Sequence, residues 1–209
     1  MIAVIDFGMG NIHSCLKAIS LFTPDCKLTN SALDIKEAKG IILPGDGAFE
    51  SAMKNLDKLG LIKPLNDFVK SGRPIFGICI GYQIFFEESE ESREKGKLVK
   101  GLGFIKGKIK LFHGKPYKVP HMGWNKLIFK NSKKEKRLLK DVSNGAYMYF
   151  IHSFRPVSVN KNAVVATCSY YEEEFPVIIE KNNLYGTQFH PEKSDKDGLK
   201  ILKNFIDIV

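Results

Sequence analysis

Apolar residues in the first half of the chain fall into short runs that alternate with amphipathic stretches of helical length. The runs at residues 2–6, 40–43 and 75–77 are almost continuously apolar, which is typical of strands buried on both faces. Amphipathic periodicity predicts helices over residues 11–22, 48–56, 61–70 and 82–87. Strands that alternate with helices indicate a parallel sheet with crossover helices.

After Gly101 the pattern changes to short strands separated by turn residues. These strands are predicted at residues 104–112, 124–129, 147–151, 163–169, 177–180 and 184–189. The acidic segment 87–94 is predicted to be an exposed connection, and residues 195–208 an amphipathic helix with Asp195 as its N-cap.

The predicted fold is therefore α/β. It has a mixed, largely parallel central sheet flanked by helices, with antiparallel strands added to it. Its 209 residues are enough for one ordinary domain, so residues 1–209 are predicted to form a single domain. Open sheets of this kind bind ligands outside the carboxyl ends of their central strands, where we expect the active site.

The chain is basic, with a net charge of +9 and a pI near 9.3. Much of the excess lies in residues 130–140, a run that includes Lys133 and Lys140. This run has no interleaved aromatic residues and no nucleic-acid motif around it, so a solvated helix or loop is the favoured interpretation and no nucleic-acid partner is expected.

Hydropathy and cysteine spacing set the expected compartment. No apolar stretch approaches the length needed to cross a bilayer, and residues 1–6 lack the features of a signal peptide. No CxxC spacing relates the four cysteines, which are Cys15, Cys26, Cys79 and Cys168. That pattern favours neither a metal site nor a disulfide framework, so we expect a cytoplasmic protein without a metal or another cofactor.

The motif with the most chemical content is Gly77-Ile78-Cys79-Ile80-Gly81. An apolar run followed by Gly-x-Cys-x-Gly is typical of a nucleophile elbow, in which a strand turns sharply into a helix and exposes the central residue. A thiol at a helix N-terminus has a lowered pKa, which suits a cysteine nucleophile in acyl transfer. A small buried cysteine in a glycine-flanked turn is the alternative reading of this pentapeptide alone.

A cysteine nucleophile needs a base, and His190 has the best context among the five histidines. It ends a β-prone segment and is followed by Pro191 and Glu192. In extended backbone, residues two apart point to the same side, so Glu192 can bond one ring nitrogen of His190 and leave the other for the thiol proton. The alternative is a surface histidine at a strand end. His121 and His152 are interpreted as structural or interface histidines, while His13 and His113 carry no signal.

These residues resemble those of the triad-type, or class I, glutamine amidotransferases, and in particular the glutaminase subunits of imidazole glycerol phosphate synthase. Further matching segments lie in the same order along nearly the whole chain. They are Asp6-Phe7-Gly8-Met9-Gly10-Asn11, Leu43-Pro44-Gly45-Asp46-Gly47-Ala48-Phe49, Pro120-His121-Met122-Gly123-Trp124-Asn125, Tyr149-Phe150-Ile151-His152-Ser153-Phe154 and Gly186-Thr187-Gln188-Phe189-His190-Pro191-Glu192-Lys193-Ser194.

The resemblance implies the chemistry of the site. Cys79 would attack the side-chain amide of glutamine, His190 would move the proton, and Glu192 would orient His190. The oxyanion donors would be the backbone N–H of Ile80, as elbows provide, and that of Asp46. In the family the loop that holds the second donor is thought to swing into place when the partner is loaded. Its middle residue is commonly valine, so Asp46 is a departure, and its side chain is expected to face solvent or the partner.

The resemblance also implies residues around this centre. Gly45, Gly47, Gln83, Ser153 and Phe154 would bind the substrate, Gln83 from the same helix face as Cys79. Those expected at a partner interface are Asn11, Trp124 and Lys193. Alternative readings are a solvent-facing residue for Gln83, an ordinary turn for residues 45–47 and a core aromatic for Trp124.

The implied function is a glutaminase that passes ammonia to a synthase bound as a heterodimer partner. The favoured partner is the cyclase subunit of imidazole glycerol phosphate synthase, in histidine biosynthesis. A sugar-aminating synthase of surface polysaccharide biosynthesis is the closest alternative, and Asp46 keeps it open. A cysteine hydrolase and a non-catalytic regulatory module are remoter alternatives.

Overall fold

The structure is a computed structural model that describes residues 1–112, 118–130 and 136–209. Its first half alternates strands and helices as the hydrophobic pattern predicts. These elements are β1 (Ile2–Ile5), α1 (Ile12–Ser20), β2 (Cys26–Thr29), α2 (Ala32–Glu37), β3 (Gly40–Leu43), α3 (Phe49–Lys58), α4 (Ile62–Lys70), β4 (Ile75–Ile78) and α5 (Ile80–Gln83).

Strands dominate the middle of the chain, and a long helix closes it. The strands are β5 (Phe86–Ser89), β6 (Val99–Lys100), β7 (Ile105–Leu111), β8 (His121–Lys126), β9 (Ile128–Phe129), β10 (Tyr147–His152), β11 (Phe154–Val157), β12 (Val164–Tyr170), β13 (Glu173–Lys181) and β14 (Leu184–Thr187). Helix α6 spans Asp195–Ile208, and 3-10 turns span Arg137–Leu139, Lys161–Ala163 and Pro191–Lys193.

Within the described residues, the main sheet has eight strands in the order β2-β1-β3-β4-β14-β13-β12-β9. The first five run parallel, and β13, β12 and β9 extend the sheet by antiparallel pairing. This arrangement confirms the predicted α/β class with a largely parallel centre. Strands β4 and β14 are parallel neighbours, so their carboxyl ends lie side by side.

Alternate residues of the central strands supply the two hydrophobic cores, one on each face of the main sheet. In β1, Ile2 and Val4 belong to the core that includes α1 and α6, whereas Ala3 and Ile5 belong to the core that includes α3 and α4. Because side chains alternate across a strand, burial on both faces requires the continuous apolar runs seen in the sequence.

The elbow helix is shorter than predicted. Of the predicted helical residues 82–87, only 82 and 83 are helical, because α5 ends at Gln83 and β5 begins at Phe86. Backbone N–H groups of Leu102 and Ile105 donate to the carbonyls of Ile84 and Phe85, which draws this segment into a second, smaller sheet. That sheet has the order β11-β7-β5-β6. The predicted exposed connection at 87–94 is therefore wrong in its first part, where Ser89 is fully buried in β5.

Helix α6 confirms the C-terminal helix but not its predicted N-cap. Ser194 occupies the N-cap position, and Asp195 is the first helical residue, with φ +51°. The Ser194 hydroxyl donates to the His190 carbonyl at 2.6 Å and accepts from the Tyr149 N–H at 2.9 Å. Tertiary contacts therefore determine how this helix begins. Among the described residues, no helix combines the length and apolarity that a membrane span requires.

Candidate active site

Cys79 stands at the sharp turn between β4 and α5. Its φ of +54° lies in the left-handed region, which a non-glycine residue adopts only when its surroundings impose it. A Cβ on Gly77 would come within 2.5 Å of the Gly81 carbonyl oxygen, and one on Gly81 would overlap the Leu43 carbonyl oxygen. Both glycines are therefore required for strand, turn and helix to pack this closely, as in a nucleophile elbow.

His190 follows β14, the parallel neighbour of the strand that ends at Cys79. Its Nδ1 lies 2.8 Å from Oε1 of Glu192, and both side chains are buried. The carboxylate can only accept, so the Nδ1–H donates to it. Among the described residues, His190 Nε2 and Glu192 Oε2 have no hydrogen-bonding partner. The predicted hydrogen bond between His190 and Glu192 is thus present, and the second ring nitrogen of His190 is left without a partner.

The electrostatics around His190 favour the imidazolium. Burial acts most strongly and lowers its pKa, but the Cys79 sulfur and the Glu192 carboxylate together outweigh burial and raise the pKa to about 10. A positively charged imidazole beside Cys79 can donate a proton to a leaving group.

The Ile80 N–H donates to the Gly45 carbonyl at 3.4 Å. The first predicted oxyanion donor is thus engaged by the loop that carries the second one, Asp46. The Asp46 residue is half-buried, and Gly47 beside it has φ +108°. A Cβ on Gly10 would come within 2.6 Å of the Asp46 nitrogen, so the loop after β1 packs directly against this peptide.

A cavity of about 230 Å³ opens beside Cys79. It is lined by Gly47, Cys79, Ile80, Gln83, Glu91, Pro120, Ile151, His152, Ser153 and Phe154. The fold therefore places Gln83, Ser153 and Phe154 around one pocket, although they are far apart in sequence. The Gln83 side chain is buried and donates from Nε2 to the Phe154 carbonyl at 3.0 Å, so the solvent-facing reading of Gln83 is wrong.

Comparison with known proteins decides the family. A family model described as "Glutamine amidotransferase class-I" matches residues 3–209. The chain belongs to the class-I glutamine amidotransferases. This amidotransferase is also 42% identical over 214 residues to "Imidazole glycerol phosphate synthase subunit HisH" of Geobacillus sp. (strain WCH70), with 100% of this chain and 97% of that relative covered. The resemblance drawn from the motifs is thereby confirmed.

Solved structures share the fold of this amidotransferase. One described as a crystal structure of glutamine amidotransferase has a TM-score of 0.73 at 15% identity and covers 99% of this chain and 97% of that one. PurLQS from Thermotoga maritima has a TM-score of 0.69 at 20% identity, with 99% of this chain and 97% of that one covered. At these identities the likeness concerns the fold alone.

Two residues of the site of this amidotransferase were missed by sequence reasoning. Gln188 is fully buried; its Oε1 accepts from Gln83 Nε2 at 3.0 Å, and its Nε2 lies 3.9 Å from the Cys79 sulfur. Its position two residues before His190 in an extended segment was an available signal, since such residues share a face. Glu91 lines the cavity from the acidic segment after β5, where nothing in the sequence distinguishes it from its acidic neighbours.

The three residues expected at a partner interface of the amidotransferase lie near the site but outside the cavity described. Trp124 on β8 is 52% exposed and meets the ring of Tyr149 edge-on at 6.0 Å, so it is not a core aromatic. Asn11 is exposed and caps α1 by accepting from the Ser14 N–H at 3.3 Å. Lys193 is half-buried in the 3-10 turn that follows His190.

The interpretations of the basic run at 130–140 and of His113 concern residues that lie partly or wholly outside the described ranges. Lys133 lies there with much of the basic run, as does His113. Lys140 is described and exposed. In the described part of the chain, no group of three or more His, Cys, Asp or Glu side chains is arranged to hold a metal ion.

Proposed function

We propose that this chain is the glutaminase subunit of imidazole glycerol phosphate synthase, acting as one domain over residues 1–209. The observation that carries the proposal is the 2.8 Å contact between His190 Nδ1 and Glu192 Oε1, next to a cysteine held at φ +54° in an elbow. The likeness to a HisH subunit over the whole chain supports the same assignment.

In the proposed reaction the Cys79 sulfur attacks the side-chain carbonyl carbon of glutamine. His190, which carries the proton of the thiol, gives it to the departing nitrogen, so ammonia leaves and a glutamyl thioester forms. A water molecule then attacks the thioester while His190 accepts its proton. Glutamate leaves and the proton returns to the Cys79–His190 pair.

The oxyanion of the tetrahedral intermediate needs two donors. We infer that these are the N–H groups of Ile80 and Asp46, after rotation of the Gly45–Asp46 peptide. In the described conformation the Gly45 carbonyl accepts from the Ile80 N–H. The proposed rotation would therefore remove the Gly45 acceptor and add the Asp46 donor in one step. A chain that waits in this conformation would hydrolyse glutamine slowly until the partner is bound and loaded.

The head group of glutamine would lie at the far end of the cavity. We assign the backbone of Ser153 and Phe154, together with Gln83, Gly45 and Gly47, to substrate binding. We add Glu91, the acidic side chain in the described lining, as the partner of the substrate's ammonium group. Burial raises the pKa of Glu91, while the hydrogen bond from the Phe49 N–H at 2.8 Å acts against it; a bound cation would further favour its charged form.

Ammonia is useful to such an enzyme only when a synthase receives it before it is protonated and lost. We propose a heterodimer with a cyclase-type subunit that docks on the surface of Asn11, Trp124 and Lys193. Exposed aromatic residues of this kind are common anchors of interfaces. All four cysteines are free, which fits the reducing cytoplasm where we place the complex.

The test is glutamate release from glutamine, with and without the cyclase-type subunit of the same organism and its nucleotide substrate. Strong stimulation by the loaded subunit, abolished in Cys79→Ala, is the expected result. If Cys79 reacts with a glutamine-like electrophile and the subunit has no effect, the glutaminase stands and the acceptor is another synthase, a sugar-aminating one first. If Cys79→Ala retains full activity, the proposal is wrong.

A further inference from the structure

Two buried histidines lie beside the cavity, one on strand β8 and one on strand β10. His121 on β8 and His152 on β10 are directly opposite each other in the antiparallel pair. Nδ1 of His121 lies 3.0 Å from Nε2 of His152, and both side chains are almost completely buried. The proposed reaction uses neither ring, yet His152 lines the cavity.

The hydrogen bonds of the pair run in one direction. His152 Nδ1 lies 2.8 Å from the Phe154 carbonyl oxygen and must donate to it, so His152 Nε2 accepts from His121 Nδ1. His121 Nε2 then accepts from Asn125 Nδ2 at 3.3 Å. The Asn125 amide cannot be reversed without loss, because its Oδ1 accepts from the Lys126 N–H at 2.8 Å and its Nδ2 also donates to the Ser169 carbonyl at 2.9 Å.

Both rings are neutral, as this direction requires. Burial lowers the pKa of His121 to about 4, and burial together with His121 lowers that of His152 to about 3. Aromatic neighbours fix the ring planes: Phe150 stacks on His121 at 4.8 Å, and Phe112 contacts His152 at 5.4 Å. The pair is therefore a rigid donor chain.

The series of hydrogen bonds through the two histidines ends at the carbonyl of Phe154, which lines the cavity. The Phe154 carbonyl accepts from His152 and also from Gln83 Nε2, at 2.8 and 3.0 Å. Gln83 donates in turn to Gln188, whose Nε2 faces the Cys79 sulfur. The carbonyl oxygen of Phe154 is thus held by two donors, Gln83 and His152.

We propose that His121 and His152 are positioning residues, which, oriented by Asn125, hold the Ser153–Phe154 backbone in place for the head group of the substrate. The inference rests on the proposed glutaminase function. The two histidines do not contact the reacting atoms in this proposal. Replacing either histidine should therefore weaken recognition of glutamine while the thiol of Cys79 keeps its reactivity.

The experiment compares two reagents that alkylate Cys79 in the full-length chain, with mass spectrometry to confirm the site. One is a chloroketone analogue of glutamine, which carries the amino-acid head group; the other is iodoacetamide, which lacks it. We expect His121→Leu and His152→Leu to slow labelling by the chloroketone about tenfold, the effect of one lost hydrogen bond, and to leave iodoacetamide labelling within about twofold. KM for glutamine should rise by a similar factor, with kcat within about threefold.

A conservative variant and a surface control complete the test. His121→Asn retains a side-chain N–H donor near the position of His121 Nδ1, where it can donate to His152 Nε2, and should recover most of the chloroketone rate. The control is His13→Leu, at an exposed histidine, and it should match the wild type.

Four outcomes would overturn the inference. Equal decreases in the labelling rate with both reagents would indicate general damage to the site. Unchanged labelling rates would show that the histidine pair does not contribute to substrate recognition. A His121→Asn variant no better than His121→Leu would remove the donor chain as the cause. If the chloroketone labels the wild type no faster than iodoacetamide does, the proposed function itself is contradicted. This comparison in the wild type is therefore made before any histidine variant is tested.

Discussion

The backbone N–H of Ile80, a residue that lines the cavity, donates to the carbonyl of Gly45 at 3.4 Å. The first proposed oxyanion donor, the Ile80 N–H, is therefore occupied by the Gly45–Asp46 peptide, which is proposed to supply the second donor. Rotation of that peptide would free the Ile80 N–H and turn the Asp46 N–H to the same side. The loop after β1 packs against this peptide, since a Cβ on Gly10 would come within 2.6 Å of the Asp46 nitrogen.

A methyl group at Gly10 tests this relationship. Gly10→Ala would bring a Cβ within 2.6 Å of the Asp46 nitrogen. We expect glutamate release in the presence of the loaded partner to fall about a hundredfold, the effect of losing one oxyanion donor. Labelling of Cys79 by iodoacetamide should stay unchanged.

The control for this variant is Gly60→Ala. Both glycines have a positive φ, +89° for Gly10 and +67° for Gly60, so both variants carry backbone strain, but no atom lies within 4 Å of a Cβ at Gly60. If the two variants lose activity equally, crowding of the Asp46 peptide is not the cause.

The imidazolium of His190 predicts a pH dependence of stability. Its pKa in the folded chain, about 10, lies above the ordinary value of 6.5. The resulting stabilisation is complete below about pH 6.5 and is lost as the pH rises through about 10. Because Cys79 contributes to the raised pKa, we expect the unfolding temperature to fall less between pH 7 and 10 in Cys79→Ala than in the wild type.

Thermal unfolding followed by circular dichroism across this pH range measures the difference. Cys26→Ala, at a half-buried cysteine outside the site, should behave like the wild type. Parallel curves for Cys79→Ala and the wild type would show that the thiol does not interact with His190 as described.

Glu91 is predicted to set the affinity for glutamine. Glu91→Gln removes the charge that would face the substrate's ammonium group, while its amide oxygen can still accept from the Phe49 N–H. We expect KM to rise at least about tenfold with little change in kcat, because the interaction is made equally in the ground and transition states. Steady-state glutamate release measures both constants.

Glu90→Gln is the matched control for Glu91, since the neighbouring Glu90 pairs at the surface with Lys110 and does not line the described cavity. A lower kcat at unchanged KM in Glu91→Gln would place Glu91 in a different role.

Trp124 is predicted to anchor the partner. Trp124→Ala should weaken binding of the cyclase-type subunit about ten- to a hundredfold, because large aromatic residues carry much of the affinity of interfaces. Isothermal titration calorimetry measures this change. The unfolding temperature should hardly move, since 52% of the side chain is exposed. Leu33→Ala, at a residue 60% exposed on α2, is the control, and an equal effect there would contradict a specific interface at Trp124.

Sequence reasoning succeeded where one local pattern was enough. The parallel strands were predictable because burial on both faces demands unbroken apolar runs, and the elbow because only glycines fit at Gly77 and Gly81. Prediction from the sequence failed where the hydrogen-bonding partners are remote along the chain. Helix α5 ends at Gln83 because residues 101–105 pair with the segment that follows it. No pattern within residues 82–87 encodes that pairing.

The sequence was enough to predict the fold class, the family and the candidate residues Cys79, His190 and Glu192, since each prediction rests on motifs formed by neighbouring residues. The tertiary structure alone decided the hydrogen bond that occupies Ile80, the entry of Glu91 and Gln188 into the site, and the donor chain through His121 and His152. These features depend on distances between atoms whose residues lie up to 109 positions apart, and such distances are set by packing rather than by local preference.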